Sequence, residues 1–444
     1  NVSLFALLSN QIDISSLGLE DATVKLYSSA NNPLFNYNFL LTAFSDTTLQ
    51  AKTPNEPTQP WTFSLGDVSL KNVRFTYRDV FAGISVFASL KDSKFSVKTF
   101  DPEKSVYQFD RLTAESLMVK VLRNTTGHTS AGNNSESTSP QIGAQKLQLN
   151  HSAISYIDSV SFISVISELA QAKLDDVALD LQAESLNVDK IDLRESRIQF
   201  HTFAPETTAN TSTSTSENNW KIAVNHLDAT DNTWIYQSGN KPEAKGSFNP
   251  EQVEFSRLKL EARDFLYSAA LTKVSVQAFS ATDQNNFEIK SLETDFSMDE
   301  HSITAQKLKA STSYSTVDAD FSLRYSSLAA LTDSMQFTNL SLALRNMALQ
   351  NADVLYFKPD LVQQPFFRNK GNMTTASGTI SGPVNHLSGK NLLVKTGRQT
   401  SVQTNFSISG LPNYKTANYD FSRLKITSGK KDLEWLAGPY IPDN

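Results

Sequence analysis

Val68-Ser-Leu-Lys-Asn-Val-Arg-Phe-Thr-Tyr77 is the stretch whose reading decides the fold. Its apolar residues, Val68, Leu70, Val73, Phe75 and Tyr77, stand at i, i+2, i+5, i+7 and i+9. Steps of two place side chains on one face of a β-strand. The single step of three turns the rest onto the other face, unless one residue is absorbed there in a β-bulge or a sharp bend. Lys71-Asn72 fills that step with polar, turn-tolerant residues. The spacing therefore predicts a kinked strand, or two short ones, with one continuous apolar side.

The pattern recurs along the chain. Leu112, Ala114, Leu117, Val119 and Val121 repeat it in full. Leu147, Leu149, Ile154 and Tyr156 repeat it with Ser152 in third place, and Ile191, Leu193, Ile198 and Phe200 with Ser196 there. Leu227, Ala229, Trp234 and Tyr236 carry Asn232 in that slot; Leu258, Leu260, Phe265 and Tyr267 carry Arg263. Met347, Leu349, Ala352, Val354 and Tyr356 make the last copy. Successive copies start 44, 35, 44, 36, 31 and 89 residues apart, and six of the seven end on an aromatic residue. Asn150-His151, Arg194-Glu195, Thr230-Asp231 and Gln350-Asn351 occupy the step of three. Such self-similarity predicts one array of β repeats over residues 1–444, with a period of about 35–45 residues.

Composition agrees with strands that are apolar on one face and uncharged polar on the other. Of 444 residues, 39% are hydrophobic and 19% charged, the latter below the ~25% typical of soluble domains. With 27 Phe and 13 Tyr the chain is too rich in aromatics for disorder, and 16 Gly and 15 Pro are too few for a collagen. A net charge of -6, with no Lys/Arg run beyond Lys430-Lys431, lacks the basic stripe a nucleic-acid partner needs. Zero cysteines exclude disulfides, thiolate metal sites and cysteine nucleophiles. The longest apolar segment, Leu34 to Phe44, is broken by Asn36, Asn38 and Thr42 and falls short of the ~18 residues of a membrane span. The chain opens on Asn1 without a signal-like segment, and is expected to be a piece of something longer whose anchors lie outside it.

Low-complexity stretches at 124–140 (NTTGHTSAGNNSESTSP) and 205–219 (PETTANTSTSTSENN) lack apolar residues to bury, and read as solvated loops. Pro54, Pro57 and Pro60 mark a third break. Helical signals are few. Val160 to Ala172 is compatible with three turns, with Phe162, Val165, Ile166 and Leu169 on one side, and Ser327 to Ser334 with two.

Catalytic constellations are absent from the sequence. The six histidines (His128, His151, His201, His226, His301, His386) share no HxH or HExxH spacing. Asp175-Asp176 and Asp318/Asp320 read as acids on a solvated edge, since acid/base chemistry needs two carboxylates across a cleft with separated pKa values. Ser388-Gly-Lys390 lacks the first Gly and the following Ser/Thr of a phosphate loop. No enzyme and no cofactor are expected. What remains is an apolar strand face that must pack on a second sheet, fill a solenoid, or line an open curved sheet.

The closing residues, 378–444, narrow this choice. Gly378-Thr-Ile-Ser-Gly382, Val384-Asn-His-Leu387, Asn391-Leu-Leu-Val394 and Thr404-Asn-Phe-Ser-Ile-Ser-Gly-Leu-Pro412 resemble the recurring β-module of the AsmA-like superfamily, TamB-like proteins in particular. Lys425-Ile-Thr-Ser428 with Asp432-Leu433 is similar to the same module. Val68 to Asp79 resembles its strand phrase, and Leu70, Tyr77 and Asp79 are answered by Leu149, Tyr156 and Asp158.

The resemblance implies a mainly β fold, in which an elongated antiparallel sheet of degenerate repeats curls lengthwise into a hydrophobic groove, with a few short helices. It implies a periplasmic protein of a Gram-negative envelope, anchored in the inner membrane by an N-terminal helix absent from this chain. Phospholipid acyl chains would be carried along the groove towards the outer membrane. An outer-membrane barrel partner of the TamA/BamA type, met through regions outside this chain, would link it to barrel-protein insertion and secretion as a translocation and assembly module. The expected groove lining is the motif's apolar face: Phe75, Tyr77, Val119, Ile154, Tyr156, Ile198, Phe200, Trp234, Tyr236, Phe265, Tyr267, Val354 and Tyr356. The alternative is a structural or adhesive β-repeat protein of the envelope that carries no lipid.

Overall fold

A computed structural model of the chain describes residues 11–29, 34–39, 62–101, 105–124, 141–203, 219–239 and 246–437. His128, the stretch from Pro54 to Pro60 and, except for Asn124 and Asn219, the two low-complexity stretches lie outside them. The fold is mainly β, as expected, with 21 strands and a few short helices among the described residues. Contacts gather into two units, residues 1–224 with 230–241 and residues 225–229 with 242–444.

The first unit is built from β1 (Gln11–Glu20), β2 (Thr23–Tyr27), β3 (Thr62–Asp79), β4 (Ile84–Asp101), β5 (Val106–Glu115), β6 (Met118–Arg123), β7 (Gln141–Asp158), β8 (Ile163–Asp180), β9 (Ser185–Arg194), β10 (Arg197–Thr202) and most of β11 (Lys221–Ser238). Short strands come in broken pairs, and each broken pair runs parallel to the long strand that follows it. Thus β1 and β2 lie beside β3, β5 and β6 beside β7, and β10 beside β11. Every other registered pair here is antiparallel: β3 with β4, β4 with β5 and β6, β7 with β8, and β8 with β9 and β10.

The module is therefore three strands wide: one broken, two long. This explains the alternating 44- and 35-residue intervals. Motif copies on the long strands start at Val68, Leu147 and Leu227, 79 and 80 residues apart, and those on broken strands at Leu112 and Ile191, 79 apart. A parallel neighbour cannot be reached by a tight turn, because the chain must first return along the strand. In the sequence, the polar, low-complexity stretches lie between a broken pair and the parallel long strand that follows it.

The step of three is a bend at one residue in left-handed conformation. Asn72, Ser116, His151, Glu195 and Asp231, the fifth residue of each copy, have φ of 49, 54, 45, 48 and 55°. Pairing passes from Lys71↔Asp92 to Val73↔Leu90, and from Asn150↔Gln171 to Ser152↔Leu169. Each strand gives up one residue at the same level, so both flip faces together and the ladder resumes in register. Asp21 (φ 50°) bends a further copy of the motif, Leu17, Leu19, Ala22, Val24, Leu26.

The second unit is an antiparallel meander of β12 (Gln252–Tyr267), β13 (Leu271–Asp283), β14 (Glu288–Asp299), β15 (Ser302–Thr312), β16 (Thr316–Arg324), β17 (Asn339–Gln350), β18 (Met373–Pro383), β19 (His386–Thr396), β20 (Thr400–Ser409) and β21 (Asn418–Thr427). Its ladders shift register near mid-strand, as at Ala305/Leu308 and Leu344/Met347. Helices α1 (Ala330–Asp333), α2 (Asn351–Phe357), α3 (Pro365–Arg368) and α4 (Lys430–Ala437) join or follow the strands.

Four expectations are corrected. Val160 to Ala172 is no helix: from Ile163 it is the first half of β8, hydrogen-bonded to β7 on one side and β10 on the other. Pairing on both edges outweighs a helical periodicity that Val165, Ile166 and Leu169 satisfy only by coincidence. Ser327 to Ser334 yields only the four-residue α1. In the copy starting at Leu258, the left-handed residue is Asp264 (φ 52°), so the step of three spans Ala262 to Phe265 rather than Leu260 to Arg263. In the last copy the strand stops at Gln350, and Ala352, Val354 and Tyr356 belong to α2.

Candidate functional site

The bends align the motif's apolar residues into rows across the strands. One row runs Val24, Phe75, Ala88, Val119, Ile154, Ser167, Ile198, Trp234, each registered opposite the next from β2 to β11. The adjacent row runs Leu26, Tyr77, Val86, Val121, Tyr156, Val165, Phe200, Tyr236 by the same pairings. Nine of the thirteen expected lining residues thus share one face of one unit. Phe265 and Tyr267 are on β12 in the second unit, and Val354 and Tyr356 are on α2, off any strand.

Burial separates the rows from the bends beneath them. Val73, Ala114, Leu149, Ala172 and Leu193 are buried, whereas every large side chain of the two rows is half-buried and Tyr236 is 41% exposed. A facing sheet at ~10 Å would have buried them. The rows are an open apolar surface, stiffened by stacked rings: Phe200 on Tyr236 at 6.0 Å and Tyr77 on Phe35 at 5.4 Å between centroids. The opposite face carries Arg74, Arg78, Lys120 and Arg197 at the alternate positions.

The polar third-slot residues have a structural task. Where a bend interrupts the ladder, backbone groups lose their partners, and a buried unpaired amide costs ~1–3 kcal/mol. The Ser152 hydroxyl accepts from Leu117 N–H (3.2 Å) and donates to Asn150 C=O (2.9 Å). Asn232, fully buried, accepts from Ser196 N–H (2.9 Å) and donates to Leu193 and Thr230 C=O (both 3.1 Å). The Ser196 hydroxyl donates to Arg194 C=O (2.8 Å).

Aspartates close the strand ends. Asp79 Oδ1 accepts from Phe81 and Ala82 N–H, Asp158 Oδ1 from Val160 and Ser161, and Asp180 Oδ1 from Gln182 and Ala183. Tyr156 O–H donates to the second oxygen of Asp158 at 3.0 Å, and Arg123 Nη1 lies 3.3 Å from it. Burial works to raise the Asp158 carboxyl, but the hydrogen bonds from Ser161, Val160 and Tyr156 outweigh it and hold the group below its ordinary value. The same burial, reinforced by the hydrogen bond to Asp158, pushes the Tyr156 phenol up. Tyr156 thus belongs to the lining row by its ring and to the turn by its hydroxyl. The indole Nε1 of Trp234 is buried with no acceptor.

In the second unit, Tyr356 stacks on Phe287 at 4.5 Å between Phe248 and Phe357, and its hydroxyl donates to Asp283. Burial, then that carboxylate, pushes the phenol up to about 12. The cluster packs α2 on the turn between β13 and β14. Asp318 and Asp320 share Arg345, and Asp320 also accepts from Lys307 N–H, so this pair ties neighbouring strands. His151, His201, His301 and His386 each contact a carboxylate, carbonyl or hydroxyl of a neighbouring segment. Among the described residues no three His, Asp or Glu gather to hold a metal, and no helix is long and apolar enough to cross a membrane.

Fold and site together define a bent-strand β-repeat protein with an open apolar face. No protein-family model, no curated protein and no solved structure matches the chain.

Proposed function

We propose that the two apolar rows of the first unit carry lipid acyl chains. The chain would then be part of a TamB-like periplasmic protein that moves phospholipid between inner and outer membranes and supports barrel-protein assembly. The observation that carries this reading is the incomplete burial of the apolar residues in these rows, one of which, from Leu26 to Tyr236, is apolar and in register on all eight strands. Exposed apolar surface of this extent costs free energy unless something apolar covers it.

An acyl chain of ~16 carbons carries about 13 kcal/mol of transfer free energy at ~0.8 kcal/mol per methylene. Lying along the rows, it is shielded while its headgroup stays in water at the rim. No bond is made or broken, so no catalytic residue is required. Many similar weak contacts also let a chain shift from row to row without a tight pocket to leave.

Trp234 reports directly on this surface. With Trp61, Trp220 and Trp435 replaced by Phe, Trp234 fluorescence is expected to be quenched by phospholipid brominated on its acyl chains. Phospholipid brominated at the headgroup should leave it bright. Native mass spectrometry should find phospholipid on the purified chain. Unquenched Trp234 together with lipid-free protein would sink the proposal.

A further inference from the structure

Because the second unit is an antiparallel meander, its connections alternate between two ends. Those after β13, β15, β17 and β19 close at one end, and those after β12, β14, β16, β18 and β20 at the other. The first end carries α2, the 3-10 turn Pro359–Gln363, α3 and, after β21, α4. These pieces form one cap. The 3-10 turn contacts both α2 and α3, and Phe366 of α3 stacks on Trp435 of α4 at 5.3 Å between centroids. Two carboxylates fasten the cap to the strand turns. Asp353 accepts from the Thr312 hydroxyl at 2.5 Å, and Asp432 accepts from Arg398 and Gln399 N–H at 3.0 and 2.7 Å.

The outer surface of the cap is apolar and cationic at once. Tyr314, Phe357 and Val362 are 58, 48 and 44% exposed. Lys358, Arg368, Lys370 and Arg398 are exposed beside them, and none has an ion pair among the described residues. α4 adds Lys430 and Lys431, the former 3.8 Å from Glu434. The acids do not balance these cations. Asp353 and Asp432 are buried and occupied by the turns, Glu288 accepts from the Ser313 hydroxyl, and Asp360 is the exposed acid among the first four cations.

The other end of the same unit gives the contrast. It also exposes apolar side chains, at Leu328, Met335, Phe337 and Tyr414, but its connections hold one cation, Lys415, against Glu300 and Asp333. Cations and exposed apolar groups coincide only at the helical end, in a chain whose net charge is -6. Charge alone would suit any polyanion. Leu361 to Phe367 bracketed by Lys358, Arg368 and Lys370 suits a partner with an apolar phase under an anionic surface, where apolar groups enter and long cations reach back to phosphates.

We infer that the helical end of the second unit docks on the surface of a membrane containing anionic phospholipid. Lys358, Arg368, Lys370 and Arg398 meet lipid phosphates, and Val362 with its apolar neighbours enters the headgroup layer. This docking does not depend on acyl-chain carriage by the first unit.

The test uses the whole chain and vesicles of defined composition. Sedimentation with phosphatidylcholine vesicles holding ~30% phosphatidylglycerol should exceed that with phosphatidylcholine alone at least tenfold, and should fall as salt rises. Lys358→Gln, Arg368→Gln and Lys370→Gln together should weaken it at least tenfold with circular dichroism unchanged. Lys415→Gln at the opposite end, and Arg74→Gln with Lys120→Gln on the first unit, should leave it nearly unchanged. With all four tryptophans replaced by Phe, Val362→Trp should shift its emission to the blue on adding the anionic vesicles, and Phe337→Trp should not. Equal sedimentation with neutral vesicles, no loss in the triple variant, or an equal loss in the first-unit pair would overturn the inference. So would binding of heparin as tight as that of vesicles, with Val362→Trp unshifted by either. Acyl-chain carriage is read at Trp234 and docking at position 362, so either proposal can fail alone.

Discussion

Asn232 shows what the bends ask of single residues. Its amide joins three backbone groups that the interrupted ladder leaves over, and it does so at full burial. Asn232→Leu keeps the volume and strands those groups, so a loss of about 3 kcal/mol is expected by urea unfolding. Hydrogen exchange should speed up first at Ser196. Glu195 tests the other half of the device. Its φ of 48° strains any residue with a Cβ, so Glu195→Gly should gain about 1 kcal/mol and Glu195→Val should lose at least as much. Asp158 makes the pH prediction. Its carboxyl is held below its ordinary value in the folded chain, so its stabilisation is complete above the unfolded pKa of ~3.9. That contribution is lost as pH falls through the lower, folded value. Asp158→Asn should therefore destabilise the chain at pH 6 and flatten the acid limb of a plot of urea midpoint against pH. An unchanged acid limb would remove Asp158 from the account. The polar residues in the third slot stand out in the sequence as interruptions of an apolar pattern. Their partners do not, because Leu117 and Ser196 N–H become orphans only once the chain bends.

Elements were legible where side-chain spacing alone decides them. Steps of two and one step of three identified a bent strand at Val68, Leu112, Leu147, Ile191 and Leu227, and each has its left-handed residue in the step. The same spacing is complete at Leu17, Leu19, Ala22, Val24 and Leu26, where Asp21 is the left-handed residue. Legibility failed where two periods fit one segment. Phe162, Val165, Ile166 and Leu169 suit a helix, while Ile163, Val165, Ser167 and Leu169 suit a strand; the choice rests with β7 and β10, distant in sequence. At Tyr356 the pattern continues past Gln350 but Asp283 and Phe287 hold the ring on a helix. Leu258, with no exposure at all, is the tightest apolar point of the second unit's strands. Leu258→Ala should cost about 3 kcal/mol, against less than 1 for the same change at half-buried Leu260.

Within each unit the described strands contact chiefly their ladder neighbours, so the stability of a unit is built from adjacent pairings. Two-state unfolding is not expected. Asn232→Leu should lower a transition of the first unit and Leu258→Ala one of the second, each leaving the other in place when followed by hydrogen exchange. A single transition moved equally by both would contradict this. The sequence by itself determined the β class, the bend and its position, the repeat and the apolar side of each strand, because these follow from spacing within ten residues of chain. Tertiary structure alone decided that repeats run in modules of three strands, that broken strands lie parallel to the next long one, and that nine lining candidates meet in two rows while four go elsewhere. Those outcomes depend on which strands pair and in what register, and pairing joins residues tens of positions apart whose preference for one another no local pattern records.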